Sequence, residues 1–132
     1  MTCLDSSFLI ELLRGSESAR RKYQELKSNI GNDRLCITII NAYELLKGAK
    51  LTSNPGVNLQ LVRDLLGALN ILQLDAESVE AASELYSKLR NKGKLIGEFD
   101  ILIASICIAN GERLLTRDDD FASIPKLECM RF

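Results

Sequence analysis

Apolar residues along the chain fall into short runs separated by longer amphipathic stretches, an order that predicts alternating strands and helices. Met1 to Leu4 is a short apolar run, read as a strand. Asp5-Ser6-Ser7 follows, and Phe8, Leu9, Ile10, Leu12 and Leu13 are then spaced for a helix, capped by Ser6 or Ser7 and closed near Gly15. Ser18 to Ser28 is a charged amphipathic helix with Tyr23 and Leu26 inward, and Gly31-Asn32-Asp33 reads as a turn. A second strand is predicted over Leu35 to Ile39 and a helix over Asn41 to Ala49, with Tyr43 and Leu46 on one face. Thr52 to Gly56 reads as a loop, because Asn54-Pro55-Gly56 disfavours helix on both sides.

Val57 to Leu69 is again helical, with Leu59, Val62, Leu65, Leu66 and Leu69 at helical spacing, and a third strand is predicted over Ile71 to Leu74. Asp75 caps a helix to about Lys92 whose inward stripe is Val79, Ala82, Leu85, Tyr86 and Leu89. Gly93 to Gly97 is a basic loop. Glu98 to Asn110 is apolar nearly all round, which predicts a central, buried helix. Arg113 to Thr116 forms a fourth strand and Leu127 to Phe132 a fifth. Short apolar strands alternating with helices define an α/β class: one domain over residues 1–132, a parallel sheet of four or five strands with helices on both faces.

Composition narrows the chemistry. The chain has no His, which removes Ser-His-Asp and Cys-His nucleophiles, His-liganded zinc and His acid/base ribonucleases. Carboxylates must carry any acid/base or metal work. With 17 Lys+Arg against 18 Asp+Glu, global charge offers no grip on nucleic acid, and only local basic patches remain. Aromatics at 5% argue against a base-stacking sheet, so bound RNA would be held by its phosphates and selected by shape. Cys3, Cys36, Cys107 and Cys129 form no CxxC pair and sit among apolar neighbours, the pattern of buried thiols in a reducing cytoplasm. The first residues lack the features of a signal peptide, and the longest apolar run, Ile101 to Ala109, is too short to span a bilayer. A soluble, cytoplasmic protein without a membrane partner is expected.

In an open parallel sheet a ligand site lies beyond the carboxyl ends of the strands. Acids cluster there. Asp5 directly follows the first strand, Asp118-Asp119-Asp120 follow the fourth, Glu44 lies one turn into the helix after the second, and Asp100 lies in the first turn of the apolar helix. Each has a bland reading: an N-cap for Asp5, dipole complementation for Glu98 and Asp100, a solvated turn for the Asp triplet, and a solvent-facing surface for Asn41, Glu44, Lys47 and Gly48. Held together they repel, and a divalent ion resolves that repulsion. All-oxygen ligands favour Mg²⁺ or Mn²⁺, and such a site suits phosphoryl chemistry.

The segments Leu4-Asp5-Ser6-Ser7, Glu44-Leu45-Leu46-Lys47-Gly48, Asp100-Ile101-Leu102-Ile103-Ala104 and Leu115-Thr116-Arg117-Asp118-Asp119-Asp120-Phe121 resemble, in order, those of the PIN domain family. Within it the resemblance is to VapC-type toxins of prokaryotic toxin-antitoxin pairs. It implies a PIN-like α/β/α sandwich and a metal-dependent endoribonuclease that leaves 5′-phosphate and 3′-hydroxyl ends. Asp5, Glu44 and Asp100 match the family's three acidic metal-site positions and Asp118 the fourth; Asp120 is the alternative acid of that loop. Ser7 and Thr116 match supporting hydroxyl positions; Glu98 is a candidate accessory acid. The resemblance further implies a homodimer and a small antitoxin whose C-terminal segment wraps the toxin. Phe8, Leu9, Leu12 and the Val57 to Leu69 helix are candidates for that groove, and ordinary core is the other reading of them.

Asp5 and Asp100 are the expected principal ligands of one Mg²⁺ or Mn²⁺, with Glu44 and Asp118 shaping that site or holding a second ion. Arg14, Lys47, Lys50, Lys92, Lys94 and Arg117 are the candidate basic rim for RNA phosphates. Two alternatives compete with this reading. A phosphoacceptor receiver would use Asp75 after the third strand, and a catalytically weak PIN-like fold would act as an RNA-binding or scaffold subunit. A haloacid-dehalogenase-like phosphatase is disfavoured, because Ser7 stands where that chemistry needs a second Asp.

Overall fold

The computed structural model describes residues 1–29 and 35–132, so the turn expected at Gly31-Asn32-Asp33 lies outside the described residues. The chain runs β1 (Thr2–Leu4), α1 (Ser6–Leu13), α2 (Glu17–Asn29), β2 (Leu35–Thr38), α3 (Ile39–Lys50), α4 (Pro55–Gly67), β3 (Asn70–Leu72), α5 (Ala76–Asn91), α6 (Glu98–Ala109), β4 (Arg113–Leu115), a 3-10 turn (Asp119–Ser123) and β5 (Cys129–Met130). The strands form one five-stranded sheet in the order β3-β2-β1-β4-β5, and every neighbouring pair is parallel. This is the α/β class the alternation predicts. No helix among the described residues is long and apolar enough to cross a membrane.

Strand alternation divides the core into two layers, because successive side chains point to opposite faces. Cys3, Cys36 and Leu114 pack with Leu85, Leu89, Ala104 and Cys107 of α5 and α6. Their neighbours Leu4, Ile37 and Leu115 pack on the other face with Phe8, Leu9, Leu45 and Val62 of α1, α3 and α4. Each fully buried large side chain contributes on the order of 1.5–3 kcal/mol relative to exposure. As its apolar sequence predicts, α6 is buried through Ile101, Ile103, Ala104, Ile106 and Cys107, and Ser105 joins them by donating its hydroxyl to the Ile101 carbonyl at 2.7 Å.

Several local expectations are corrected. The α1 N-cap is Asp5 rather than Ser6 or Ser7, yet the Asp5 side chain makes no cap bond, because other partners occupy it. Strand β2 stops at Thr38, whose Oγ1 accepts from the Asn41 N–H, so Ile39 opens α3 instead of ending the strand. Helix α4 starts two residues early at Pro55, a residue suited to the first turn, where its missing N–H costs nothing.

On α3 the inward face is Asn41, Ala42, Leu45 and Ala49, leaving Tyr43 50% exposed. On α5 it is Ser78, Ala82, Leu85 and Leu89, leaving Val79 and Tyr86 at the surface. In both helices the inward polar residue at the first turn has its hydrogen bonds supplied, by Thr38 for Asn41 and by the Asp75 capping box for Ser78, and so can be buried. All four cysteines are free thiols; Cys129 is half-buried and the other three are buried.

Candidate active site

The chain order around β1 creates the site. From β1 the chain passes outward to β2 and β3, then returns to place β4 and β5 on the other side, so the order reverses between β1 and β4. Connections diverge there and leave a crevice beyond the strand ends. Helices α1 and α3 begin directly after β1 and β2, and α6 feeds back into β4, so all three present their N-termini at that end. Their unsatisfied N–H groups give it a positive potential that favours carboxylates.

Asp5, Glu44, Asp100, Asp118 and Asp120 converge on this crevice. One carboxylate oxygen each from Asp100, Asp118 and Asp120 lies within 4.8 Å of the others. Burial pushes the half-buried Asp100 carboxyl up to about 6, and the charges of Asp118, Asp5, Glu44 and Asp120 push it further in the same direction. Four acids therefore act on the fifth.

Asp5 is 5% exposed and held by three donors: Thr116 Oγ1 at 2.7 Å, Ser7 Oγ at 3.0 Å and Asn41 Nδ2 at 3.0 Å. The Asn41 amide also donates to Ser6 Oγ at 2.9 Å and Glu44 Oε1 at 3.3 Å, and Ser6 Oγ donates to Glu44 Oε1 at 2.8 Å. Thr38 Oγ1 in turn donates to Asn41 Oδ1 at 2.7 Å, which fixes which end of the amide faces the acids. On the other flank Thr116 Oγ1 accepts from the Asp118 N–H at 3.0 Å, and Asp118 Oδ1 accepts from the Asp120 N–H at 2.9 Å. One polar chain thus runs from Glu44 through Asn41, Asp5 and Thr116 to the β4 loop.

Three residues of this network stand outside the acidic pattern of the sequence. Asn41 belongs to a face expected to meet solvent and is instead fully buried. Ser6 was an expected helix cap and bridges Asn41 to Glu44. Thr38, read as strand, orients Asn41. The sequence signal was the Thr-x-x-Asn spacing across a strand-to-helix junction, which brings residue three of the helix back over its cap.

Asp120, the alternative acid of its loop, joins Asp100 and Asp118, whereas Asp119 turns away to pair with Arg131. Asp75 is bound up in the α5 capping box next to the edge strand β3, remote from the crevice, which removes the geometric basis for a receiver. Glu98 is exposed at the start of α6.

The basic candidates separate. Lys47 sits over the rings of Tyr43 and Phe99, 5.2 and 5.8 Å from their centroids. Arg117 stacks on Phe132 and lies 3.8 Å from Glu11. Arg14 lines an apolar groove of about 330 Å³ between α1, α3 and α4, which reaches the acids through Glu44. Lys50 closes α3, six residues past Glu44 and so about 9 Å further along the helix axis. Lys92 and Lys94 are exposed on the loop leading to α6.

Chemically, the crevice offers oxygen donors alone. Like charges this close are costly without a cation, and carboxylates without imidazole or thiolate suit a hard ion with a preference for oxygen.

Proteins of known family resemble this chain over nearly its whole length. The PIN domain model matches residues 2–127. Ribonuclease VapC11 of Mycobacterium tuberculosis is 32% identical over 130 residues, covering 96% of this chain and 93% of its own. The tRNA(fMet)-specific endonuclease VapC of Salmonella typhimurium is 29% identical over 98 residues, covering 74% of each. Among solved structures, VapBC2 from Rickettsia felis, bound to a DNA fragment from its promoter, superposes with a TM-score of 0.91 at 26% identity, covering 99% of this chain and 98% of that one. With the matching model spanning nearly the whole sequence and the acids gathered at the switch point of its sheet, the chain belongs to the PIN domain family.

Proposed function

We propose that this protein is a VapC-type endoribonuclease, dependent on Mg²⁺ or Mn²⁺, that hydrolyses RNA phosphodiester bonds to leave 5′-phosphate and 3′-hydroxyl ends. The observation that carries the reading is the convergence of Asp5, Glu44, Asp100, Asp118 and Asp120 on one crevice, with an all-oxygen donor set and an Asp100 carboxyl pushed up to about 6 by burial and then by its neighbours. Relatives named ribonuclease and tRNA(fMet)-specific endonuclease support the nuclease class.

In this reading Asp100 and Asp118 would hold the ion together with Asp5, and Asp120 stands as the additional acid of the β4 loop. The chemistry a bound ion would supply there is Lewis-acid polarisation of a phosphate and a lowered pKa for a water. The chain's own residues position and neutralise. Thr116, Ser7 and Asn41 keep Asp5 in one orientation, and their O–H and N–H groups require it to be the acceptor. Ser6 and Asn41 do the same for Glu44, which is left on the groove side of the crevice. No residue with an imidazole is needed to hold the proton of the attacking water, since the carboxylates themselves are acceptors. Lys47, Arg117 and Arg14 supply positive charge around the acids, and Lys50 contributes at longer range.

The groove between α1, α3 and α4 supports a partner reading as well: a small antitoxin would lay an apolar segment along it toward Glu44, and a toxin-antitoxin complex from Klebsiella pneumoniae is among the structures of the same fold. A homodimer in the cytoplasm completes the proposal, and the free thiols of Cys3, Cys36 and Cys107 accord with a reducing compartment.

The test is cleavage of structured RNA with Mg²⁺ or Mn²⁺ by the wild type, Asp5→Asn and Asp100→Asn. Activity in the wild type, its loss in both variants and its loss in excess EDTA are expected. Full activity in either variant, or in EDTA, would overturn the site. Divalent-independent RNA binding without cleavage would instead assign the fold to a scaffold role.

A further inference from the structure

Beside the acids stands a feature that the metal chemistry does not use. Tyr43 immediately precedes Glu44 on α3, and Phe99 immediately precedes Asp100 on α6. Their rings meet edge to face across the two helices, with centroids 5.6 Å apart and planes at 85°. Yet Tyr43 is 50% and Phe99 40% exposed, so the contact buries only part of each ring. The Lys47 ammonium lies over both, and among the described residues it makes no ion pair.

Successive helical residues are separated by about 100° around the axis, so these rings flank the crevice instead of filling it. An exposed aromatic pair is uncommon in a chain with three Tyr, four Phe and no Trp. Elsewhere the fold does bury its rings, as at Phe8 and Phe121, which are fully buried. Two partly wet rings with a cation, one residue from two carboxylates, match the needs of a ligand that is flat at one end and anionic at the other.

We propose that Tyr43, Phe99 and Lys47 form a stacking subsite for one unpaired nucleobase of the substrate strand, with Lys47 contacting a phosphate of that nucleotide or its neighbour. This rests on the ribonuclease reading and deepens it, because it makes the substrate class an RNA whose bases next to the cut are unstacked. Stacking is tolerant of base identity, since every base has a π face. Lys47 adds a charge whose contribution falls with salt. The subsite also holds the nucleotide's backbone near Glu44 and Asp100 without occupying the acids themselves.

The test joins kinetics to binding. On a cleavable RNA, Tyr43→Ala and Phe99→Ala raise KM by roughly five- to hundredfold, the range for losing one base–aromatic stack, while kcat falls far less, as expected when binding common to ground and transition states is lost. Tyr43→Phe and Phe99→Tyr restore the wild-type KM. The chain has no Trp, so Phe99→Trp introduces a single reporter. Titrated in Mg²⁺ buffer before cleavage accumulates, it is quenched by a short oligoadenylate and binds an abasic ribose-phosphate oligomer of equal length several-fold more weakly. Lys47→Ala weakens both oligomers alike and flattens the salt dependence by about one ion.

Equal affinity for the two oligomers, an unquenched reporter, or an unchanged KM in the alanine variants overturns the subsite while leaving the nuclease reading intact. Alanine variants that change the oligomeric state at unchanged KM also overturn it, and assign the patch to contact with a second copy. If the wild type cuts no RNA but the reporter still discriminates the oligomers, the nuclease reading fails and the subsite stands.

Discussion

Asn41 Nδ2 donates to Asp5 Oδ1 at 3.0 Å, joining residues 36 positions apart across the ends of two strands. The same amide reaches Glu44, so one fully buried neutral side chain orients two acids. Removing it leaves the carboxylates in place but unaimed. Asn41→Ala is expected to keep the fold and to lower divalent affinity and cleavage by about 10–100-fold, the usual cost of losing an outer-sphere partner. Isothermal titration with Mn²⁺ beside a cleavage assay checks it. Unaltered metal affinity would reduce Asn41 to a packing role.

Asp100 and Asp5 are expected to respond oppositely to neutralisation, although both are acids of one crevice. Asp100 sits among like charges with its carboxyl pushed up to about 6. In metal-free buffer Asp100→Asn therefore stabilises, by on the order of 1 kcal/mol once solvent screening of a half-exposed group is allowed for, or roughly 3–5 °C in Tm. Asp5→Ala strands the Asn41 amide and the Thr116 hydroxyl, and destabilises by about 2 kcal/mol. Thermal melts of both variants in EDTA decide between this and a shared effect of the same sign.

The sign of the pH dependence follows from the direction of the Asp100 shift. Its folded-state pKa lies above its unfolded value, so the native state binds the proton more tightly and the contribution of this group to stability is lost as pH rises from about 4 to about 6. Bound divalent ion reverses that trend, because it favours the ionised form. Mg²⁺ is thus expected to raise Tm clearly at pH 7 and little at pH 5. A Mg²⁺ effect equal at both pH values would disconnect the ion from Asp100.

The three consecutive acids after β4 are predicted to differ. Asp118 and Asp120 share the cluster with Asp100, whereas Asp119 pairs with Arg131 at the surface. Asp118→Asn is expected to lower activity strongly and Asp120→Asn to lower it measurably. Asp119→Asn should stay within about twofold of wild type, since exposed ion pairs contribute little. Loss of activity in Asp119→Asn alone would show that the loop is arranged otherwise.

The apolar run over α6 predicted a buried helix, and Ile101, Ile103, Ala104 and Ile106 are buried, because a helix with no polar face has nowhere else to go. Asp75 predicted a cap, and its box with Ser78 is a local interaction spanning one turn. Hydrophobicity alone places Val79 and Tyr86 inward and they lie outward, because the hydrogen bonds of Ser78 allow a polar residue to face the core and turn the helix accordingly, as those of Asn41 do on α3.

Within the site, the acids were legible as residue types at strand ends, and their mutual geometry was not. Periodicity, capping and strand alternation are set by neighbours within one turn or one strand, so the amino-acid order alone determined the elements, the alternation of layers and the end of the sheet at which carboxylates collect. Which acids meet, that Asn41 is buried to hold Asp5 and Glu44, that Asp120 faces inward and Asp119 outward, and that Tyr43 touches Phe99 depend on contacts between residues far apart along the chain. Only the packing of α3, α6 and the β4 loop around β1 brings those groups within hydrogen-bonding and electrostatic range.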